Sequence, residues 1–154
     1  MCTALNTAKY ILNYCKDNGI RDCSNKKLQK LLYYVQAWSL AFDNGPVFDD
    51  EIEAWVHGPV VRSVYRKYKD FGFNPIFVVD NRGYDADCFS DTTRIIMDTV
   101  LKTYSKYDAE VLEMRTHLES PWIEARRSGS TVISPDSMRT YYKSMLEKSN
   151  ASAE

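Results

Sequence analysis

Apolar positions in the first eighteen residues follow a helical period. Leu5, Ala8, Ile11, Leu12 and Cys15 fall on one 3.6-residue stripe, Thr3 suits an N-cap, and Gly19 follows the end, which predicts a helix over 2–18. A second helix is expected from Ser24, as N-cap, to about Asp43, where Asn44-Gly45-Pro46 stops it. Eleven of the fifteen residues from Leu28 to Phe42 are apolar or aromatic, and Gln29, Gln36 and Ser39 form a narrow polar strip. A helix apolar on nearly every side is surrounded by neighbours, so this segment is expected at the centre of the fold.

The pattern then shortens to alternation. Val47-Phe48 and Glu53 to Val56 suggest a small β-hairpin across Asp49-Asp50. Pro59 suits the first turn of a helix and Gly58 permits a tight approach to it, so a helix is expected from Pro59 to about Phe71. Its inward positions are Val60, Val61, Val64, Tyr65, Tyr68 and Phe71, with Arg62, Arg66, Lys67 and Lys69 outward. Ile76 to Val79 reads as a β-type run able to extend the hairpin into a sheet, and Asn81 to Asp87 as polar turns.

Helical spacing returns afterwards. Ser90 or Asp91 caps a helix bearing Ile95, Ile96, Met97, Val100, Leu101 and Tyr104, and Asp108 caps a short one reaching His117. Ser120-Pro121 and Ser134-Pro135 each combine a capping residue with a proline, which marks two more helix starts, the last running to about Lys148. The expectation is one mainly α domain over 1–148 around an apolar central helix, with a small β-hairpin or sheet. Residues 149–154 are expected to be a frayed polar tail.

Composition narrows the function. With 154 residues and a formal net charge of −1, the chain carries no whole-molecule field to draw it to nucleic acid or an anionic membrane. No stretch approaches a membrane-spanning run, and the start MCTALNTAKY lacks a secretory layout, so a cytoplasmic location is expected. Cys2, Cys15, Cys23 and Cys88 show no metal-ligand spacing and are expected as free thiols, with Cys15 a small core hydrophobe. No catalytic residue, cofactor or metal is assigned. A hydrolase-like reading would have to use His57 and His117, the only two histidines, and neither sits in a nucleophile motif.

The aromatic content points instead to contact surfaces. Among eleven tyrosines, Tyr10, Tyr14, Tyr33, Tyr34, Tyr141 and Tyr142 cannot all face inward, since several are neighbours on their helices. The partner-binding candidates are Trp55, His57, Arg62, Tyr65, Arg66 and Lys69, where aromatic anchors lie beside a basic helix face.

Three blocks together resemble the Panacea domain, the family of SocA-like antitoxins and phage-associated proteins. They are KKLQKLLYYVQAWSL from Lys26 to Leu40, GPVFDDEIEAWVHGPVVRSVYRKY from Gly45 to Tyr68, and THLESPWIEAR from Thr116 to Arg126. The motif residues Leu28, Gln29, Lys30, Leu31, Trp38, Gly58, Pro59, Val60, Thr116, His117, Pro121 and Trp122 are expected to be structural. The resemblance implies a non-enzymatic antitoxin in bacteria or phage-infected cells that binds a cognate protein toxin encoded nearby and can hand it to the ClpXP protease. A phage or prophage anti-defence protein binding a host target is the alternative.

Overall fold

The computed structural model describes residues 2–153, with side chains through Asn150. Its helices are α1 (Ala4–Asp17), α2 (Asn25–Ala41), α3 (Arg62–Tyr68), α4 (Asp91–Tyr104), α5 (Ala109–His117), α6 (Ser120–Ser128) and α7 (Pro135–Ala153). Its strands are β1 (Ile52–Trp55), β2 (Gly58–Val60) and β3 (Val132–Ile133), in the order β2-β1-β3 with both pairings antiparallel. Thr3, Ser24, Ser90 and Asp108 each accept a backbone N–H at a helix start, as the capping pattern predicts. The fold is thus mainly helical with one small sheet.

Helix α2 is the axis. It packs against α1, α4, α5, α7 and β2, and nearly all its side chains are buried. Tyr33 and Tyr34 are adjacent yet both fully buried, because neighbours cover opposite flanks of the helix. Tyr142 is buried with them, whereas Tyr10, Tyr14 and Tyr141 are only partly covered. The polar residues of α2 are also inside, and each is satisfied there. Gln36 accepts from the N–H groups of Val47 and Phe48 and donates to the Phe48 carbonyl. Gln29 accepts from Val61 N–H, and the buried Lys27 ammonium donates to Asp22 and to the Ser105 carbonyl.

Those bonds explain where the strands differ from expectation. Val47 and Phe48 give their backbone groups to Gln36, and Phe48 makes only an isolated parallel bridge with Cys2, so they do not pair with β1. The hairpin lies one step later, with Ala54 opposite Pro59 and Trp55 opposite Gly58. Gly58-Pro59 therefore forms an edge strand, where a missing N–H is tolerated, and α3 starts only at Arg62. Ile76 to Val79 is not a strand: the free edge of β1 is taken by β3, and Ile76 N–H bonds the Cys23 carbonyl instead. Phe77, Val78 and Ile95 are left exposed, and Tyr65, expected inward, is exposed in part. Helix α7 continues past Lys148 to Ala153. Cys2 and Cys88 are disulfide-bonded rather than free, because the turn ending at Cys88 is tied to α1 through Asn6, which bonds Asp85 and the Cys88 sulfur. Cys15 and Cys23 remain free and buried.

One carboxylate knits three elements together. Glu119 precedes α6 but does not cap it; its side chain turns inward and accepts from the hydroxyls of Tyr33 (3.0 Å), Tyr34 (3.2 Å) and Tyr142. Burial pushes this carboxyl above its usual range, against the pull of the three hydroxyls. Lys30 is a second buried ionisable group. Its ammonium reaches the Pro59 carbonyl at 3.3 Å, and the side chain fills the space beside Gly58. A β-carbon on Gly58, whose φ is +108°, would stand 2.7 Å from Lys30 Cε and 3.0 Å from Thr116 Oγ1. Desolvation lowers the Lys30 pKa to about 7, with Glu113 opposing and Lys26 adding to the shift.

Three outcomes follow for stability. Glu119→Ala leaves three buried hydroxyls without their acceptor and should cost at least about 3 kcal/mol in urea denaturation, more than Glu119→Gln, which keeps one acceptor oxygen. Gly58→Ala should cost about 1–3 kcal/mol from backbone strain and crowding of Lys30, so an unchanged midpoint would be inconsistent with this packing. For Lys30, the unfolded chain holds a proton that the folded chain releases above pH ~7, so stability gains from this group as pH rises toward the ordinary lysine range. Relative to Lys30→Met, the protein should gain up to about 1.4 kcal/mol per unit between pH 7 and 9, measured by chemical denaturation at each pH.

Candidate partner-binding site

The hairpin and α3 carry most of the residues singled out by sequence. Trp55, at the end of β1, meets Tyr65 of α3 edge-to-face with ring centroids 4.9 Å apart. The Arg62 guanidinium lies 5.6 Å from the centre of the Trp55 ring. Glu53 holds both. It accepts from Arg62 through two bonds of 3.0 and 2.7 Å and from the Trp55 indole at 3.1 Å, and these bonds, Arg62's foremost, lower its carboxyl below the ordinary value against burial. Arg66 and Lys69 extend the cationic face along and just beyond α3, and neither has an ion-pair partner among the described residues.

His57 sits at the hairpin turn with most of its side chain exposed, and its Nδ1 lies 2.7 Å from Glu113 of α5. Glu113 also meets Lys26 at 3.2 Å. Burial pushes the Glu113 carboxyl upward, but the bonds from Lys26 and His57 win and hold it low. Val56, Met114 and Leu118 are exposed apolar side chains on the hairpin turn, α5 and its C-terminal cap. The six candidates thus fall into a Trp55–Arg62–Tyr65 cluster, a separate His57–Glu113 pair and a run of unpaired cations.

The backbone beneath this surface is pinned from α6. Trp122 donates its indole N–H to the Trp55 carbonyl at 2.8 Å, and Arg126 donates to the Ala54 carbonyl at 3.1 Å. His117 stacks on Trp122 with ring centroids 4.1 Å apart; its Nε2 is buried without a partner, and it does not bond Glu119, whose oxygens serve the tyrosines. Leu28, Gln29, Lys30, Leu31, Gly58, Pro59, Val60, Thr116 and Pro121 are buried, while Trp38, His117 and Trp122 are partly buried. Trp38 bonds the Tyr104 hydroxyl, and Thr116 bonds the Glu113 carbonyl. Among the described residues neither imidazole hydrogen-bonds a serine or cysteine, and no three His, Cys, Asp or Glu side chains group to hold a metal ion.

Sequence reasoning missed Glu53 and Glu113. The first was legible, since residues two apart on a strand share a face and Glu53 is two before Trp55. The second was not, because nothing local links α5 to the hairpin turn. What the arrangement offers is a contact surface of aromatic rings, clamped and free cations and exposed aliphatics, carried on a rigid scaffold.

A family model described as antitoxin SocA-like, Panacea domain, matches residues 28–123. No curated relative and no solved structure matches the chain. No helix among the described residues is long and apolar enough to cross a membrane. The matched stretch takes in α2 from Leu28 onward, the hairpin, α3, and Glu119 with Tyr33 and Tyr34, and on that match the chain belongs to the SocA-like antitoxin family of Panacea domains.

Proposed function

We propose that this protein is an antitoxin that neutralises a cognate protein toxin by stoichiometric binding through the hairpin–α3 surface. The observation that carries the reading is the Trp55–Arg62–Tyr65 cluster, a partly exposed aromatic and guanidinium group fixed by Glu53 from one side and by α6 from below. Tyr, Trp and Arg are the side chains that most often anchor interfaces, and fixing them beforehand lowers the entropy lost on binding. Arg66 and Lys69 at its margin favour an acidic patch on the toxin. The site of action is the bacterial or phage-infected cytoplasm, the toxin is encoded nearby, and delivery to ClpXP is a further step available once the complex has formed. Binding without turnover fits a surface on which both histidines serve other contacts, His57 with Glu113 and His117 with Trp122.

Titration against the toxin of the neighbouring gene tests this in a growth or in-vitro inhibition assay. Protection should saturate at a fixed molar ratio, and rescue by trace amounts would mean turnover instead. Trp55→Ala should weaken binding by at least about 2 kcal/mol, the scale of a central aromatic anchor. Arg66→Glu and Lys69→Glu, which break no internal ion pair, should slow association up to about tenfold in a salt-dependent way while the melting temperature holds. Full affinity in all three variants would move the contact surface elsewhere.

A further inference from the structure

Away from the hairpin, two thiols share one cavity. Cys15 lies in the last turns of α1; the chain reverses at Gly19, where φ is +70° and Ile20 N–H bonds the Cys15 carbonyl at 2.8 Å. That reversal brings Cys23 back beside Cys15, and both line a cavity of about 360 Å³ with Lys16, Arg21, Ile76 and Phe77. The Cys23 carbonyl is tied to Ile76, which fixes this wall. Neither sulfur is in a disulfide. The two side chains are 2% and 3% exposed, so only a small reagent entering the cavity would meet them.

We infer that Cys15 and Cys23 form a paired-thiol modification site that reacts with a small hydroperoxide and closes to a disulfide. Their roles differ. The neighbouring Cys23 thiol draws the Cys15 thiol down, and the nearby Lys27 ammonium acts in the same direction; burial opposes. Cys23, set against Cys15 and deeply buried from solvent, is pushed up. Cys15 is therefore the attacking group, since the thiolate is the nucleophile. Its sulfur attacks one peroxide oxygen: the S–O bond forms, the O–O bond breaks, and hydroxide leaves and takes a proton to become water. Cys23, giving up its proton, then attacks the Cys15 sulfenic sulfur; the S–S bond forms, the S–O bond breaks, and a second water leaves. Two thiols are oxidised by two electrons in total and one hydrogen peroxide is reduced to two waters. The product joins the end of α1 directly to the segment that leads into α2.

The test treats the folded protein with hydrogen peroxide near neutral pH, then quenches with N-ethylmaleimide in denaturant and reads intact mass and peptide maps. Before treatment, Cys15 and Cys23 should both take the alkylating group. Afterwards both should be protected, with a Cys15–Cys23 linked peptide that dithiothreitol removes. In Cys23→Ala, Cys15 should instead be trapped by dimedone as the sulfenic acid. In Cys15→Ala, Cys23 should lose its thiol at least about tenfold more slowly than in the unaltered chain. Persistent alkylation of both cysteines after treatment, or protection without the linked peptide, would overturn the assignment. The mapping on the unaltered chain decides it even if neither variant folds.

Discussion

A helix covered on every side must find partners inside the protein for each polar group it carries, and that requirement on α2 organises the rest of the fold. Gln36 satisfies itself on the backbone of Val47 and Phe48, Gln29 on Val61, Lys27 on Asp22 and Ser105, and Lys30 on Pro59. The bonds from Gln36, Gln29 and Lys27 reach segments outside the sheet, and the one from Lys30 lands on the edge strand β2. The central helix thereby sets the paths of the connections on both sides of the hairpin as well as the core. An unmet buried donor or acceptor is costly, so these side chains fix positions that apolar packing alone would leave free to slide.

The same logic separates what was legible in the sequence from what was not. Helix positions and caps at Thr3, Ser24, Ser90 and Asp108 are local signals, and they agree with the structure. The burial of α2 was legible from its composition. The strand pairing was not: Val47-Phe48 has the alternation of a strand, yet its backbone groups go to a glutamine eleven and twelve positions earlier. Pro59 carries a helix-start signal, yet Gly58 at positive φ and the Lys30 bond to the Pro59 carbonyl hold the pair in a strand. Ile76 to Val79 lost its place in the sheet to Val132–Ile133, a competition no local pattern announces. In each case a tertiary partner outbid local preference. At the surface, the Trp55–Arg62 contact follows from chain proximity, but the His57–Glu113 pair depends on how α5 packs and could not be read in advance.

The family match gives residues 28–123, and the packing that satisfies α2 runs beyond them at both ends. Tyr142 of α7 supplies one of the three hydroxyls on Glu119 and also packs edge-on against Trp38. Arg126 of α6 holds the Ala54 carbonyl, and β3 closes the edge of β1. At the other end α1 covers α2 and receives the turn at Cys88 through Asn6. A chain cut to the matched residues would expose the α1 and α7 flanks of α2, including Tyr33 and Tyr34, which are wholly buried in the full chain. The motif residues therefore mark the centre of a larger cooperative unit. The hairpin surface is held from three directions: by Glu53 within its own strand, by α6 through Trp122 and Arg126, and by α2 through Lys30 and Gln29. That leaves Arg66 and Lys69 free to differ in chemistry without disturbing the frame, since neither has an ion-pair partner among the described residues, whereas the Trp55 and Arg62 side chains are themselves tied into it through Glu53.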